Sequence, residues 1–147
     1  MILLSIHPEH VEKIVSKVKT FEFRKKAPKS FLLDPQIAIY STRPVGRVVA
    51  YVEVRRILSG NPSRIWYRTS RGAGIDKGAF DIYFKGCATA FAFEISKVHK
   101  FIRPITLREA GYNKSAPQSF CYLTSNQVAK IVAAGKRTGA TSKRMAQ

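Results

Sequence analysis

The sequence predicts an α+β fold, a small mixed or antiparallel β-barrel with helices on its outside. One observation is size, because 147 residues, 45% of them hydrophobic, suffice for the core of one domain. A second is that the longest apolar segments alternate with polar residues, as strands do. A third is the order of the elements, which is not the strand–helix–strand repeat of a parallel sheet. The chain has no internal repeat, phosphate-binding loop, GxGxxG or GxSxG motif.

The first elements are a strand, a helix and a second strand. Residues 2–6 (ILLSI) predict a short buried strand, and Pro8 suits the first turn of a helix over residues 8–17. That helix has one apolar stripe at helical spacing, formed by Val11, Ile14, Val15 and Val18. Residues 20–24 alternate in the manner of a strand. This strand should turn Phe21 and Phe23 to the core and Thr20, Glu22 and Arg24 to the other face.

The middle of the chain predicts two strands and two short helices after a loop at residues 27–35. β-Branched residues favour the strands, and Asn61 and Asp76 suit the N-caps of the helices. The turn STRP separates the strands, and the glycine-rich hinge RGAG separates the helices. The predicted bounds are 36–40 and 45–58 for the strands and 61–70 and 76–85 for the helices.

The C-terminal part predicts a strand, an edge strand and a helix. Residues 89–98 alternate as a strand does, and residues 117–123 suit an edge strand. Thr124 and Gln127 form a capping box for the helix, and Gly135 is a suitable C-terminal stop. Residues 136–147 contain four cations and no acid, so we expect a domain of residues 1–135 and a disordered basic tail.

Charge is the strongest indication of function in the composition. The chain has 26 Lys and Arg residues against 9 Asp and Glu, which gives a formal net charge of +17 and a pI near 10.3. Such a surplus attracts phosphate backbones and loses its effect with salt, but it carries no sequence information. The expected partner is therefore a polyanion, RNA first, with DNA or a modified nucleoside as alternatives. The other interpretation is a basic protein without such a partner.

The sequence disfavours several other classes of protein. Cys87 and Cys121 make neither a disulfide framework nor a metal site, and the three histidines, which should be surface or capping residues, lack a ligand spacing. We expect no metal, no cofactor and no disulfide. The apolar runs are short, the N-terminus lacks signal-peptide features, and the basic segments lack the pattern of a membrane anchor. We therefore expect a soluble, cytoplasmic protein that does not bind membranes.

The segment SKVKTFEFR, residues 16–24, resembles the signature of ASCH domains, members of the PUA-like superfamily. That pattern runs Ser-Gly-x-Lys-Thr-x-Glu-x-Arg at the junction of the first helix and the following strand. The residues that match it are Lys19, Thr20, Glu22 and Arg24. The opening LLSIHPEHVEKIV resembles the family's first strand and helix, and residues 74–95 and 116–123 resemble later segments. The resemblance implies a small PUA-like β-barrel with a cleft beside the first helix.

Lys17 stands where the family pattern has a glycine. A glycine at a helix end adopts a positive φ at little cost, whereas a lysine does not. We therefore expect the exit of the first helix to be shaped differently here, with the barrel itself unchanged.

Lys19, Glu22 and Arg24 are the central candidates for a nucleotide site in that cleft. Glu22 and Arg24 share a strand face, so both can project into one cavity, with Lys19 at the helix-to-strand break. Arg24 would hold a phosphate or base edge, Lys19 would supply a point charge, and Glu22 would accept hydrogen bonds from a base amino group. Lys19 and Glu22 could instead be an acid/base pair, if burial lowered the pKa of the lysine. A surface ion pair without function is the third interpretation.

Other residues are further candidates for contacts with nucleic acid. Lys25 and Lys26 continue the cationic run, while Ser41, Thr42 and Arg43 form a turn that suits phosphate contacts or is an ordinary turn. Gln118 and Ser119 suit a base edge, or else satisfy backbone groups near an edge strand. Aromatic residues near cations suit base stacking, although at helical spacing aromatic residues are more often core. They are Trp66, Tyr67, Tyr83 and Phe84.

Two functions follow from these predictions. We favour a module that binds RNA, or a modified nucleotide within RNA, in a basic cleft. The alternative is implied by the resemblance, since some ASCH-like proteins are amidohydrolases on acetylated cytidine or ribonucleases. The amidohydrolase branch has a Thr three residues after the motif Lys, where this chain has Glu22, so that catalytic set does not transfer, and Glu109 is only a guess for its distant acid. A transcriptional or translational regulator would need a DNA-reading element, and no helix-turn-helix pattern is present.

Overall fold

The computed structural model describes residues 1–29 and 36–145, and for residues 137–145 it describes the backbone alone. The strands are β1 (Ile2–Ile6), β2 (Phe21–Arg24), β3 (Gln36–Ser41), β4 (Arg47–Gly60), β5 (Ala90–Ile105) and β6 (Phe120–Tyr122). They form one sheet in the order β2-β5-β4-β3-β1-β6, in which β1 and β3 run parallel and the other neighbours antiparallel. This mixed sheet curls into a half-barrel with helices around it, which confirms the predicted α+β fold.

The helices are α1 (Pro8–Val15), α2 (Pro62–Thr69), α3 (Lys77–Tyr83) and α4 (Ser125–Met145). The predicted caps form: the Asn61 side chain accepts a hydrogen bond from the Arg64 N–H, and the Asp76 side chain accepts one from the Ala79 N–H. The capping box at the start of α4 also forms, since the Gln127 side chain and the Thr124 hydroxyl each accept a hydrogen bond from the other residue's backbone N–H.

Strand β1 is buried on both faces, which explains its continuous apolar sequence. Ile2 and Leu4 pack with the apolar stripe of α1 on one side, and Leu3 packs with α4 residues on the other. A third cluster joins β2 and β5 to α2 and α3, and Phe23 and Phe80 belong to it. The aromatic face of β2 therefore turns to the core, as its alternation predicts.

The exit of α1 contradicts the expectation drawn from Lys17. The helix ends at Val15, and Lys17 itself adopts the left-handed conformation, with φ +68°. Its N–H donates to the Ile14 carbonyl, and the Lys19 N–H donates to the Lys13 carbonyl. The exit thus has the glycine-like conformation, and the tertiary contacts of the next residues offset its cost of about 1–2 kcal/mol. Val18 lies beyond the helix and is exposed.

Two boundaries near the C-terminus differ from the predictions. Strand β5 continues to Ile105, past the predicted end at residue 98. Its pairing with β4 shifts register between Lys100 and Ile105, the stretch that contains Pro104. Helix α4 continues through Gly135 to Met145, so the predicted stop there was wrong. A Cβ on Gly135 would lie 3.0 Å from Tyr51 Cε1, so this glycine permits close packing of the helix on the sheet. The division into a domain of residues 1–135 and a tail stays a prediction.

Some predictions concern residues outside the described ranges. The loop predicted at residues 27–35 is described only as far as residue 29, where the chain has left β2.

Within the described residues, Cys87 and Cys121 are both free. No helix in that part of the chain is long and apolar enough to cross a membrane.

Candidate functional site

A cavity of about 770 Å³ lies between the start of α1, strand β2 and helix α3. The end of β1 and the segment before β6 complete its wall. Residues that the sequence predicted for the site and that line the cavity are Lys19, Glu22, Arg24, Lys25, Lys26, Tyr83, Gln118 and Ser119. Residues that line it without having been predicted are Ser5, Ile6, His7, His10, Phe23, Ile75, Ala79 and Ile82.

Glu22 and Arg24 form a nearly buried ion pair in the wall of this cavity. Arg24 Nε and Nη2 both donate to Glu22 Oε2, at 3.1 and 2.9 Å, and the side chains are about one-tenth exposed. Nη2 also donates to the Ser5 carbonyl at 2.8 Å, which ties β2 to the end of β1. The Arg24 fork is therefore fixed in direction before any ligand arrives, which limits the entropy lost on binding.

Lys19 reaches the same carboxylate from the turn before β2. Its Nζ lies 3.9 Å from Glu22 Oε1, and its side chain is only 2% exposed. Nζ donates to the Ala73 carbonyl at 2.7 Å and lies 4.6 Å from the centre of the Phe23 ring. The structure thus brings Lys19, Glu22 and Arg24 together in the cavity wall, which is the convergence that the sequence predicts.

The glycine-rich hinge between α2 and α3 is the element that holds Lys19. Thr20 N–H donates to the Gly72 carbonyl at 2.9 Å, and Lys13 Nζ donates to the Gly74 carbonyl at 2.8 Å. A Cβ on Gly72 would lie 2.1 Å from the Thr20 hydroxyl, and one on Gly74 would lie 2.6 Å from Lys19 Cβ. Only glycines allow this approach of the two backbones.

Burial changes the proton affinity of Lys19. Desolvation lowers its pKa to about 8, against a partial opposing effect of the Glu22 carboxylate, while the cations of Lys13 and Arg24 lower it further. Near neutral pH the ammonium form still predominates but releases its proton far more readily than a surface lysine. That proton affinity suits both phosphate binding and proton transfer.

His10 is a cavity residue that the sequence analysis assigned to the surface or to a helix cap. It lines the cavity one turn before the buried Ile14, and its Nδ1 is buried without a hydrogen-bond partner among the described residues. Burial lowers its pKa, and the charge of Glu22 opposes that shift. The signal was present in the sequence, because His10 precedes Ile14 by four residues and so lies near the inward face of α1.

An aromatic and cationic edge borders the opening on the α3 side. Lys25 Nζ lies 4.9 Å from the centre of the Tyr83 ring, and Ile82 next to it is 78% exposed. Burial raises the pKa of the Tyr83 hydroxyl, with a smaller opposing effect from Arg24. Gln118 and Lys26 also line the cavity and are exposed. The edge offers the Tyr83 ring and the exposed Lys25 cation beside the pair of Glu22 and Arg24.

Other predicted residues lie away from the cavity. Ser41, Thr42 and Arg43 do not line it, because parallel pairing places β3 one strand beyond β1. The Thr42 N–H donates to the carbonyl of Ile6, a cavity residue, at 3.0 Å. Glu109 forms a local cap with Thr106 and is not in the wall. Trp66 and Phe84 pack in the core, as the structural interpretation of the aromatics anticipated. Within the described residues no cluster of three potential ligands forms a metal site.

Comparisons with known proteins agree with this fold. The family model of the ASCH domain matches residues 4–127. A Zymomonas mobilis protein named ASCH domain-containing ribonuclease is 35% identical over 133 residues, 88% of each chain. The crystal structure of ASCH from Zymomonas mobilis superposes with a TM-score of 0.81 at 35% identity, covering 90% of this chain and 93% of that one. The N-terminal domain of Staphylothermus marinus McrB shares the fold at 11% identity, with a TM-score of 0.58. The chain therefore belongs to the ASCH domain family, with its PUA-like fold.

Proposed function

We propose that this protein binds single-stranded RNA and takes one nucleotide into the cavity. The observation that carries the proposal is the charge of the wall, in which one carboxylate, Glu22, stands among four cations. The cations are Lys19, Arg24, Lys25 and Lys26. A phosphate group can use the excess positive charge without displacing the internal ion pair.

Each part of the cavity supports a different contact with a nucleotide. Lys25 and Lys26 are exposed and free to follow a phosphate, and Tyr83 offers a ring against which an unpaired base can stack. Gln118 and Ser119 supply polar groups for a base edge. A base in a duplex is stacked and paired and does not enter such a cavity, so the proposal is specific for single strands. The name of the Zymomonas relative, a ribonuclease, also supports RNA as the ligand.

Binding of labelled oligonucleotides tests this proposal. We expect a single-stranded RNA of about ten nucleotides to bind at least tenfold more tightly than the same sequence as a duplex. The variant K25A/K26A should weaken binding and make the log–log salt slope shallower by about 0.7 for each lost phosphate contact. The matched control R103A/R108A removes two exposed arginines that do not line the cavity.

The outcomes separate the site from general electrostatics. Equal losses in K25A/K26A and R103A/R108A would reject the cavity as the binding site. Equal affinity for single strand and duplex would reject the proposed entry of an unpaired nucleotide. Lys19→Ala and Arg24→Ala should weaken binding as well, and unchanged affinity in both would remove these residues from the site.

Cleavage of the bound RNA is the second candidate function, and the presence of both His10 and Lys19 in the cavity wall favours it. Near neutral pH the lowered pKa keeps His10 neutral, while Lys19 is mostly protonated. His10 would accept the proton of the ribose 2′-hydroxyl, and the 2′-oxygen would attack phosphorus. The bond from phosphorus to the 5′-oxygen would break, and Lys19 would donate a proton to that oxygen. The products are a 2′,3′-cyclic phosphate and a 5′-hydroxyl end.

The pH profile and the products test cleavage. We expect the rate to fall on the acid side as His10 is protonated and on the alkaline side near pH 8 as Lys19 loses its proton. His10→Gln should remove the acid limb and most of the rate. If no RNA in a panel yields a cyclic phosphate, this function is rejected and the binding proposal is left intact. Deacetylation of acetylated cytidine by the wild type would indicate the amidohydrolase alternative instead.

A further inference from the structure

Helix α2 exposes a basic face beside the cavity, defined here as Arg64, Tyr67, Arg68 and Arg71. Arg64, Tyr67 and Arg68 have the i, i+3, i+4 spacing of one helix face, and Arg71 follows in the 3-10 turn Ser70–Gly72. All of them are exposed, and Tyr67 is 87% exposed, the highest value among the large hydrophobic residues described. Ile65 and Thr69 occupy the opposite face and are buried.

No contact among the described residues gives the arginines of the basic face a role in stabilising the fold. None of its three arginines forms an ion pair with a described residue, and residues 61–75 contain no acid. The nearest acid along the chain, Asp76, caps α3. Helix α3 is different, because its Lys77 pairs with Asp81 at 2.7 Å. The guanidinium groups and the Tyr67 ring are therefore available to a ligand that carries negative charge and flat apolar surfaces.

The basic face lies close to the cavity along the chain. Arg71 lies two residues before Ala73, whose carbonyl holds Lys19 Nζ, and two residues of chain span at most about 7 Å. Ile75, four residues after Arg71, lines the cavity itself. From Arg64 to Arg71 the face extends over about 10 Å at helical rise. A strand that leaves the cavity on this side would therefore meet Arg71 first and Tyr67 next.

We propose that the basic face of α2 is a second contact for single-stranded RNA, which holds the strand after it leaves the cavity. The arginines bind successive phosphates, and Tyr67 stacks on one unpaired base. This inference rests on the proposed RNA binding by the cavity. It adds a dependence on length, because an oligonucleotide too short to leave the cavity cannot reach α2.

The test compares two lengths of RNA and two matched pairs of arginines. We expect a dodecamer to bind wild type about tenfold or more tightly than a trinucleotide. In R64Q/R68Q the dodecamer should lose most of that gain, and its salt slope should become shallower by about 1.4, while trinucleotide binding is unchanged. The control R103Q/R108Q removes the same charge from a surface remote along the chain and should affect both lengths little. Glutamine has a helix propensity close to that of arginine, so α2 should remain folded.

Tyr67 provides an independent measurement. Tyr67→Leu should weaken dodecamer binding about fivefold or more, whereas Tyr67→Phe, which keeps the ring, should bind as wild type does. Two results would overturn this inference: equal losses of dodecamer affinity in R64Q/R68Q and R103Q/R108Q, or unchanged dodecamer affinity in R64Q/R68Q. Either result would leave the cavity proposal standing if the trinucleotide binds. If R64Q/R68Q weakens dodecamer binding while Lys19→Ala and Arg24→Ala leave it unchanged, the result would support the basic face and reject the cavity as a binding site.

Discussion

Arg24 holds Glu22 through two hydrogen bonds to one carboxylate oxygen, at 3.1 and 2.9 Å, while the other oxygen lies 3.9 Å from Lys19 Nζ. Both charges of the Glu22–Arg24 pair are largely removed from water. Breaking one side of such a pair leaves the other charge buried and uncompensated, which is the costly case in protein electrostatics. Loss of either partner of this pair should therefore destabilise the fold.

Glu22→Gln should lower the free energy of unfolding by about 3 kcal/mol, because Lys19 and Arg24 lose their only nearby carboxylate in the described wall. The matched control is Glu94→Gln. Its partner Arg56 is 57% exposed although the pair is short, at 2.6 Å, so the loss there should be below about 1 kcal/mol. Urea unfolding at neutral pH measures both, and equal losses would contradict the buried character of the Glu22 pair.

Gly74→Ala should destabilise the protein and displace Lys19. Gly74 has φ +67°, and an added Cβ would lie 2.6 Å from Lys19 Cβ. Gly86→Ala is the control, because Gly86 has φ +80° and open space around it. Both variants carry the cost of a left-handed alanine, so the steric part of Gly74→Ala appears as a further loss of about 1–3 kcal/mol. Thermal or urea unfolding that gave the same value for both would refute the close approach.

Lys17→Gly should stabilise the protein by about 1 kcal/mol. The left-handed conformation of Lys17 costs a lysine more than a glycine, and the side chain is exposed. Lys17→Ala removes the same charge and keeps the unfavourable conformation, so it should be nearly neutral. A stability for Lys17→Gly equal to that of Lys17→Ala in chemical unfolding would count against a strained helix exit.

The stability of wild type should rise with pH relative to Lys19→Met. The folded-state pKa of Lys19, about 8, is below the unfolded value of 10.5, so unfolding takes up a proton between these values. Stability is therefore reduced below pH 8 and recovered as pH rises towards 10.5, by up to about 3 kcal/mol. Subtracting the Lys19→Met curve removes the contributions of Tyr51, Tyr83 and Tyr112, whose pKa values burial raises. A constant difference from about pH 7.5 to about pH 10.5 would show that Lys19 is not desolvated.

Removal of residues 136–147 should leave the unfolding free energy within about 0.5 kcal/mol, since Ile131 and Ala134, which anchor α4 in the core, remain. The segment carries four cations and no acid, so its loss should weaken binding of RNA of any sequence by the same factor. Differential scanning calorimetry and oligonucleotide binding measure the two effects. A marked fall in melting temperature would place the end of the domain beyond Gly135.

Local sequence predicted the elements because their signals are local. The caps at Asn61 and Asp76, the Thr124–Gln127 box and the α1 stripe each depend on residues within one or two turns. Each is found, except that the stripe ends at Val15 and does not include Val18. Gly135 shows the limit of this reasoning. Its sequence context is that of a helix end, but its missing side chain serves contact with Tyr51, a residue far away in the chain.

The sequence by itself determined the basic charge, the strand and helix segments, and the placing of Glu22 and Arg24 on one strand face, because periodicity and composition are properties of neighbouring residues. Only the tertiary structure decided that Lys19 would be buried against Ala73, that His10 would join the cavity, and that the Ser41–Arg43 turn would not. These outcomes depend on sheet order and on the approach of the glycine hinge to β2, which bring together residues more than fifty positions apart. Burial, and with it the lowered pKa of Lys19, exists only after that approach.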